Sequence, residues 1–216
     1  MPAYQPASRR PIAEGFRRTA QRATRFCVRV GIHADAISYL SIAAAAVAAL
    51  CFRQSTHYPT LLIVAPLFCY LRLWCNMLDG MVALASGRDS KVGELYNEVP
   101  DRVSDAAVFI GAGYAWGGNV ALGYIATILA IFTAYVRAAG KIAGAPNEFC
   151  GPMAKQHRML VITVACVYSA VVPRSWQIFR FANLDIGVMA LALILIIAGC
   201  LVTVVRRLQR IARGLR

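Results

Sequence analysis

From Ala36 onward, long apolar runs alternate with short polar segments. The pattern predicts six membrane-spanning helices, at about 36–52, 59–78, 93–116, 119–136, 159–173 and 186–205. The last is uncharged throughout and long enough to cross a hydrocarbon layer about 30 Å thick. The third differs: it is polar from Gly93 to Asp105 and apolar from Ala106 to Trp116. Ahead of the spans, Ile12, Phe16, Ala23, Phe26 and Val30 recur on one helical face. Arg18, Arg22, Arg25 and Arg29 form the adjoining face, a pattern that predicts a helix lying in the membrane interface. The expected fold is an all-α membrane protein of six transmembrane helices preceded by an N-terminal amphipathic interfacial helix. Residues 1–35 form the cytoplasmic tail and interfacial helix, 36–206 the membrane domain, and 207–216 a basic cytoplasmic tail.

Composition agrees. Hydrophobic residues are 59% of the 216 and charged residues 15%, against about 45–50% and about 25% in soluble domains. The net charge of +13 invites either nucleic acid or anionic lipid as a partner, and its distribution decides. Of the 23 Lys and Arg, all but Arg53, Arg174 and Arg180 fall on the side of the six spans that carries both termini, Arg72 among them. This bias predicts cytoplasmic termini and no nucleic-acid partner. The seven cysteines form no CxxC pair and sit mostly in apolar runs, as small buried hydrophobes do.

The acids are unevenly spread. Six of the ten (Asp79, Asp89, Glu94, Glu98, Asp101 and Asp105) lie around the turn between the second and third spans. A carboxylate at membrane depth costs on the order of 2.5–3.5 kcal/mol, so such a cluster is a functional-site expectation. Asn76 and Asp79 share one helix face, and Asn97, Asp101 and Asp105 stack on one face of the next. Two helices joined by a short loop are antiparallel neighbours, so the oxygen-rich stripes can converge. Oxygen-only ligands suit Mg2+ or Mn2+, one or two ions, rather than zinc.

These residues resemble the CDP-alcohol phosphatidyltransferase family, whose signature reads D-x2-D-G-x2-A-R-x8-G-x3-D-x3-D. The chain reads Asn76-x2-Asp79-Gly80-x2-Ala83-Leu84-x8-Gly93-x3-Asn97-x3-Asp101, with every spacing kept. Asn76 and Asn97 replace the first and third aspartates, and Leu84 the arginine. The run from Asp101 to Phe109 is similar to bacterial phosphatidylinositol-phosphate synthases, and the Tyr135-Val-Arg137-Ala segment resembles the end of the family's fourth helix.

The resemblance implies transfer of a substituted phosphate from a CDP-linked lipid, usually CDP-diacylglycerol, to an alcohol hydroxyl, with release of CMP. It implies an enzyme of phospholipid synthesis in the bacterial inner membrane, and a homodimer. Carried over, Asp101 is the general base, and Asn76, Asp79, Asn97 and Asp101 are the metal ligands. Gly80, Ala83 and Gly93 line the nucleotide site, with Arg88 in place of the missing arginine. The two asparagines leave the ion site short of negative charge, and three readings stay open. Glu94, Glu98 or Asp105 substitutes as a ligand; one metal arrives only with the nucleotide; or the protein binds CDP-lipid, or serves as a membrane scaffold, without catalysis. Arg137, Lys155 and Arg158, at the same end of the spans, suit an alcohol acceptor that carries phosphate, such as a phosphorylated polyol.

Overall fold

The computed structural model describes residues 14–87, 91–181 and 184–215, with 14–18, 91–97, 181 and 184 as backbone only. Among these residues are seven α-helices: α1 (Glu14–Val30), α2 (Ala34–Gln54), α3 (Leu61–Ala85), α4 (Lys91–Gly113), α5 (Val120–Ile142), α6 (Lys155–Val171) and α7 (Val188–Gly214). Helices α2 to α7 correspond to the six expected spans, and most extend beyond the apolar runs at one or both ends. Four of them (α2, α3, α5 and α7) are long and apolar enough to cross a membrane. The other two are explained by their residues: α4 carries the acids in its first half, and α6 has 17 residues and opens with Lys155 and Arg158.

One expectation is corrected. The fold is not purely helical, because β1 (Ile178–Phe181) and β2 (Leu184–Gly187) pair antiparallel, Ile178 opposite Gly187 and Arg180 opposite Asp185. Ile178, Phe179 and Phe181 are β-branched or aromatic, the residue types that strands favour. Helix α7 accordingly starts at Val188.

The bundle core is built from small and branched side chains: Ala45, Ala48, Ala65, Ala112, Ala126 and Ala130 lie beside Phe52, Phe109, Ile162, Leu193 and Ile196. Small residues let helix backbones approach where lipid gives no hydrophobic drive to association. Gly111 on α4 shows this best, since a Cβ there would meet the Cα of Ala49 on α2 at 2.6 Å. The six cysteines of the helices are buried and all seven are free, as their apolar settings suggested.

Helix α1 packs against α3 through Ala20, Thr24 and Cys27, with Cys27 in a cluster with Ile37, Cys75, Leu78 and Val82. The face expected to be apolar is only partly in this contact. Ala23 packs against the cluster, whereas Phe26 and Val30 stay 62% and 58% exposed beside Arg25 and Arg29. Ile12 and the side chains of Phe16 and Arg18 lie outside the described residues.

Candidate active site

Among the described residues, the buried charged side chains (Arg72, Asp79, Asp101, Asp105, Arg158 and Arg207) gather at one end of the bundle: the N-terminal ends of α2, α4 and α6 and the C-terminal ends of α3, α5 and α7. Helix α3 presents Arg72, Asn76 and Asp79 at helical spacing, and α4 presents Glu98, Asp101, Arg102 and Asp105. The two stripes face each other. The Arg72 guanidinium, fully buried, donates through Nη2 to Oδ1 of Asp101 at 2.6 Å and pairs with Oδ1 of Asp105 at 2.8 Å. Arg158 of α6 closes the other side of Asp105, Nη2 to Oδ2 at 2.9 Å.

The meeting point of the stripes is occupied by Lys155, the first residue of α6. Its ammonium donates to Oδ1 of Asn76 and pairs with Oδ1 of Asp101. Asp79 lies near enough for its charge to interact with both Lys155 and Asp101. Its carboxylate accepts Ser38 Oγ from α2 at 2.6 Å. Arg102 pairs with Asp101 and with Glu98, and Arg137 of α5 with the other oxygen of Glu98.

The network continues across the bundle. Arg158 donates to Thr133 Oγ1 at 3.3 Å, and Arg207 of α7 donates to the Thr133 carbonyl at 2.6 Å and the Cys150 carbonyl at 3.0 Å. Met153 N donates to Thr203 at 3.1 Å, which ties the α5–α6 connection to α7. Helices α3 to α7 are thus linked by buried polar contacts at this end, where a paired charge is tolerated and an unpaired one is costly.

These contacts give partners to three residues expected at the site. Both oxygens of Asp105 face guanidinium groups and the residue is fully buried, so it anchors Arg72 and Arg158. Glu98 is held by Arg102 and Arg137. Arg158, 3% exposed under Asp105, ties α6 to α4. Gly80 and Ala83 are half-buried on α3 just beyond Asp79. Arg88 and Asp89 lie outside the described residues, as do the side chains at Gly93, Glu94 and Asn97. Arg72, Ser38, Arg102 and Arg207 were not singled out by sequence. Arg72 carried a signal, being an arginine inside an apolar span, but it reads there as one more charge on the cytoplasmic side.

The donor set has a defined capacity for divalent ions. Asp79, Asp101 and the Asn76 carbonyl offer hard oxygens of the kind Mg2+ and Mn2+ take. Yet Asn76 and Asp101 already share an ammonium, and among the described residues no three His, Cys, Asp or Glu side chains come together. Four carboxylates (Asp79, Glu98, Asp101 and Asp105) stand among five cations (Arg72, Arg102, Arg137, Lys155 and Arg158). Among the described residues this cluster is therefore positive before any metal arrives, and its oxygens do not make a two-ion site.

No family model matches the chain. Among curated proteins, it is 26% identical over 205 residues to the phosphatidylinositol phosphate synthase of Streptomyces avermitilis, covering 92% of this chain and 80% of that protein. It is 24% identical over 119 residues to the inner membrane protein YnbA of Escherichia coli, covering 55% of this chain and 59% of that one. Among solved structures, its fold is similar to Mycobacterium tuberculosis phosphatidylinositol phosphate synthase. With manganese and citrate bound, that enzyme superposes with a TM-score of 0.70 at 20% identity, covering 89% of this chain and 88% of that one. With CDP-DAG bound, the TM-score is 0.69 at 20% identity, covering 90% and 94%. With its apolar helices and these relatives, the chain is an integral membrane protein. Its homologues are phosphatidylinositol phosphate synthases, members of the CDP-alcohol phosphatidyltransferase family.

Proposed function

We propose that this protein transfers a phosphatidyl group from CDP-diacylglycerol to the hydroxyl of an alcohol acceptor and releases CMP. The observation that carries the reading is the convergence of Asn76, Asp79 and Asp101 on one cation at a bundle end lined by arginines. Attack on a pyrophosphate brings negative groups together, and a positive, partly dehydrated site offsets their repulsion. The acceptor oxygen forms a bond to the lipid-bearing phosphorus, the bond from that phosphorus to the CMP oxygen breaks, and the hydroxyl proton passes to Asp101. Asp101 stands 5% exposed with Arg72 behind it, so Arg72 fixes the carboxylate while Arg102, at the rim, yields to substrate. A divalent ion on the Asp79 side would stabilise charge on the leaving oxygen when bound. Asn97, on the α4 face of Asp101 by spacing, is its further candidate ligand.

Arg137 and Arg102, 20% and 24% exposed at the rim, suit an acceptor that carries phosphate, because a guanidinium matches phosphate bidentately. All six helices α2 to α7 are read as spans, with this end and both termini at the cytoplasmic face of a bacterial inner membrane. The charge bias supports that orientation. The exposed Phe26 and Val30 beside the α1 arginines suit the lipid interface. A homodimer follows from the family resemblance.

A second reading, a CDP-lipid binder without turnover, is favoured by Lys155 standing on Asp101. Purified protein with CDP-diacylglycerol, Mn2+ or Mg2+ and a panel of plain and phosphorylated alcohols separates the two. The transferase reading predicts CMP release with at least one phosphorylated acceptor. No CMP with any acceptor, while nucleotide binding persists, assigns the binder.

A further inference from the structure

We propose that Lys155 is a permanent, protein-borne cation of the phosphate site: its ammonium bridges Asn76 and Asp101 and so limits the protein to one divalent ion, held on the Asp79 side. The inference deepens the proposed function and rests on it for the nature of the site.

Three observations carry it. The first is position. Lys155 reaches the two oxygens from a third helix, and the ammonium contacts both at once. Its side chain is 16% exposed and that of Asp101 is 6%, so the pair is largely withdrawn from water. Its aim is fixed, because Lys155 opens α6 and α6 is tied to α4 and α5 by Arg158, through Asp105 and Thr133. The second is the partner at residue 76. An amide oxygen accepts a hydrogen bond from an ammonium without adding charge. With Asn76 the bridge holds one negative and one positive group; a carboxylate there would attract a more highly charged ion. The third is the surrounding charge. Arg72 already lies against Asp101 from the side opposite solvent. A divalent ion placed between Asn76 and Asp101 would sit on top of the ammonium, beside that guanidinium. Asp79 is placed differently: its hydrogen bonds come from Ser38 Oγ and the Gly80 amide, and Lys155 acts on it through charge without a described ion-pair contact.

The test counts ions. Full-length protein in detergent, with excess CDP, is titrated with Mn2+, and the free ion is followed by electron paramagnetic resonance. The wild type is expected to bind one Mn2+ per chain. The double variant Asn76→Asp with Lys155→Gln is expected to bind two. Asn76→Asp alone, with the ammonium still in place, is expected to stay at one, which keeps the inference decidable if the double variant fails to fold. Two ions or none in the wild type, a second ion in Asn76→Asp alone, or a single ion in the folded double variant overturns it. CMP release is read in parallel. A chain that binds one Mn2+ but releases no CMP keeps Lys155 as the fixed cation and loses the transferase reading.

Discussion

Arg72 and Asp101 decide more at this site than any other pair. Arg72 is completely buried and touches two carboxylates, whereas Arg102, pairing with the same aspartates, is 24% exposed at the rim. Removing one partner of a buried ion pair leaves an uncompensated charge and costs about 3–5 kcal/mol. A rim pair contributes about 0–1 kcal/mol. Arg72→Met is therefore expected to lower thermal stability in detergent by about 3–5 kcal/mol, and Arg102→Gln by no more than about 1 kcal/mol. Equal losses in thermal unfolding would mean that Arg72 is not the anchor described. Part of this was legible beforehand. The spacing of Asn76, Asp79 and Asp101 is enough to put their oxygens on facing stripes. That Arg72 lies behind Asp101, or that Lys155 reaches between Asn76 and Asp101, is not, because sequence spacing says nothing of how α6 is rotated against α3 and α4. Lys155 reads in isolation as a basic residue at a membrane boundary.

Among the elements, α4 sets the site, because its N-terminal half carries the acids and its C-terminal half docks into the bundle. The docking depends on Gly111, whose missing side chain lets α4 lie on Ala49 of α2. A larger residue must push the helices apart, a change that costs about 1–3 kcal/mol in a packed core. Gly111→Val is expected to destabilise by about that amount in thermal unfolding and to reduce turnover by displacing Asp101, ten residues along the same helix. Wild-type stability in this variant would show that the close approach is not needed. The helices themselves were legible from their apolar runs. Their ends were not, since α3 and α5 continue into polar residues that belong to the site. The β1–β2 hairpin was missed because four-residue strands between two spans give too short a period to stand out. The face that α1 buries was also unreadable: Ala20, Thr24 and Cys27 are weakly apolar, and only contact with α3 selects them.

At the scale of the molecule, the chain separates two ends. One gathers the arginines, aspartates and Lys155. The other holds Arg174 stacked 4.2 Å from the Trp116 ring and the hairpin with its Arg180–Asp185 pair. The same asymmetry is visible in the sequence as the unequal share of Lys and Arg, and it makes the acid-bearing end an attractive surface for an anionic, nucleotide-bearing lipid headgroup. The central claim is that this end performs phosphatidyl transfer with Asp101 at the reacting atoms. The most direct measurement is the rate of CMP release from CDP-diacylglycerol with Mn2+ and a phosphorylated acceptor, compared between the wild type and Asp101→Asn. The account predicts turnover by the wild type and, in a folded variant, a loss of at least about 100-fold, the scale of one general base. Equal CMP release by the two proteins would contradict it.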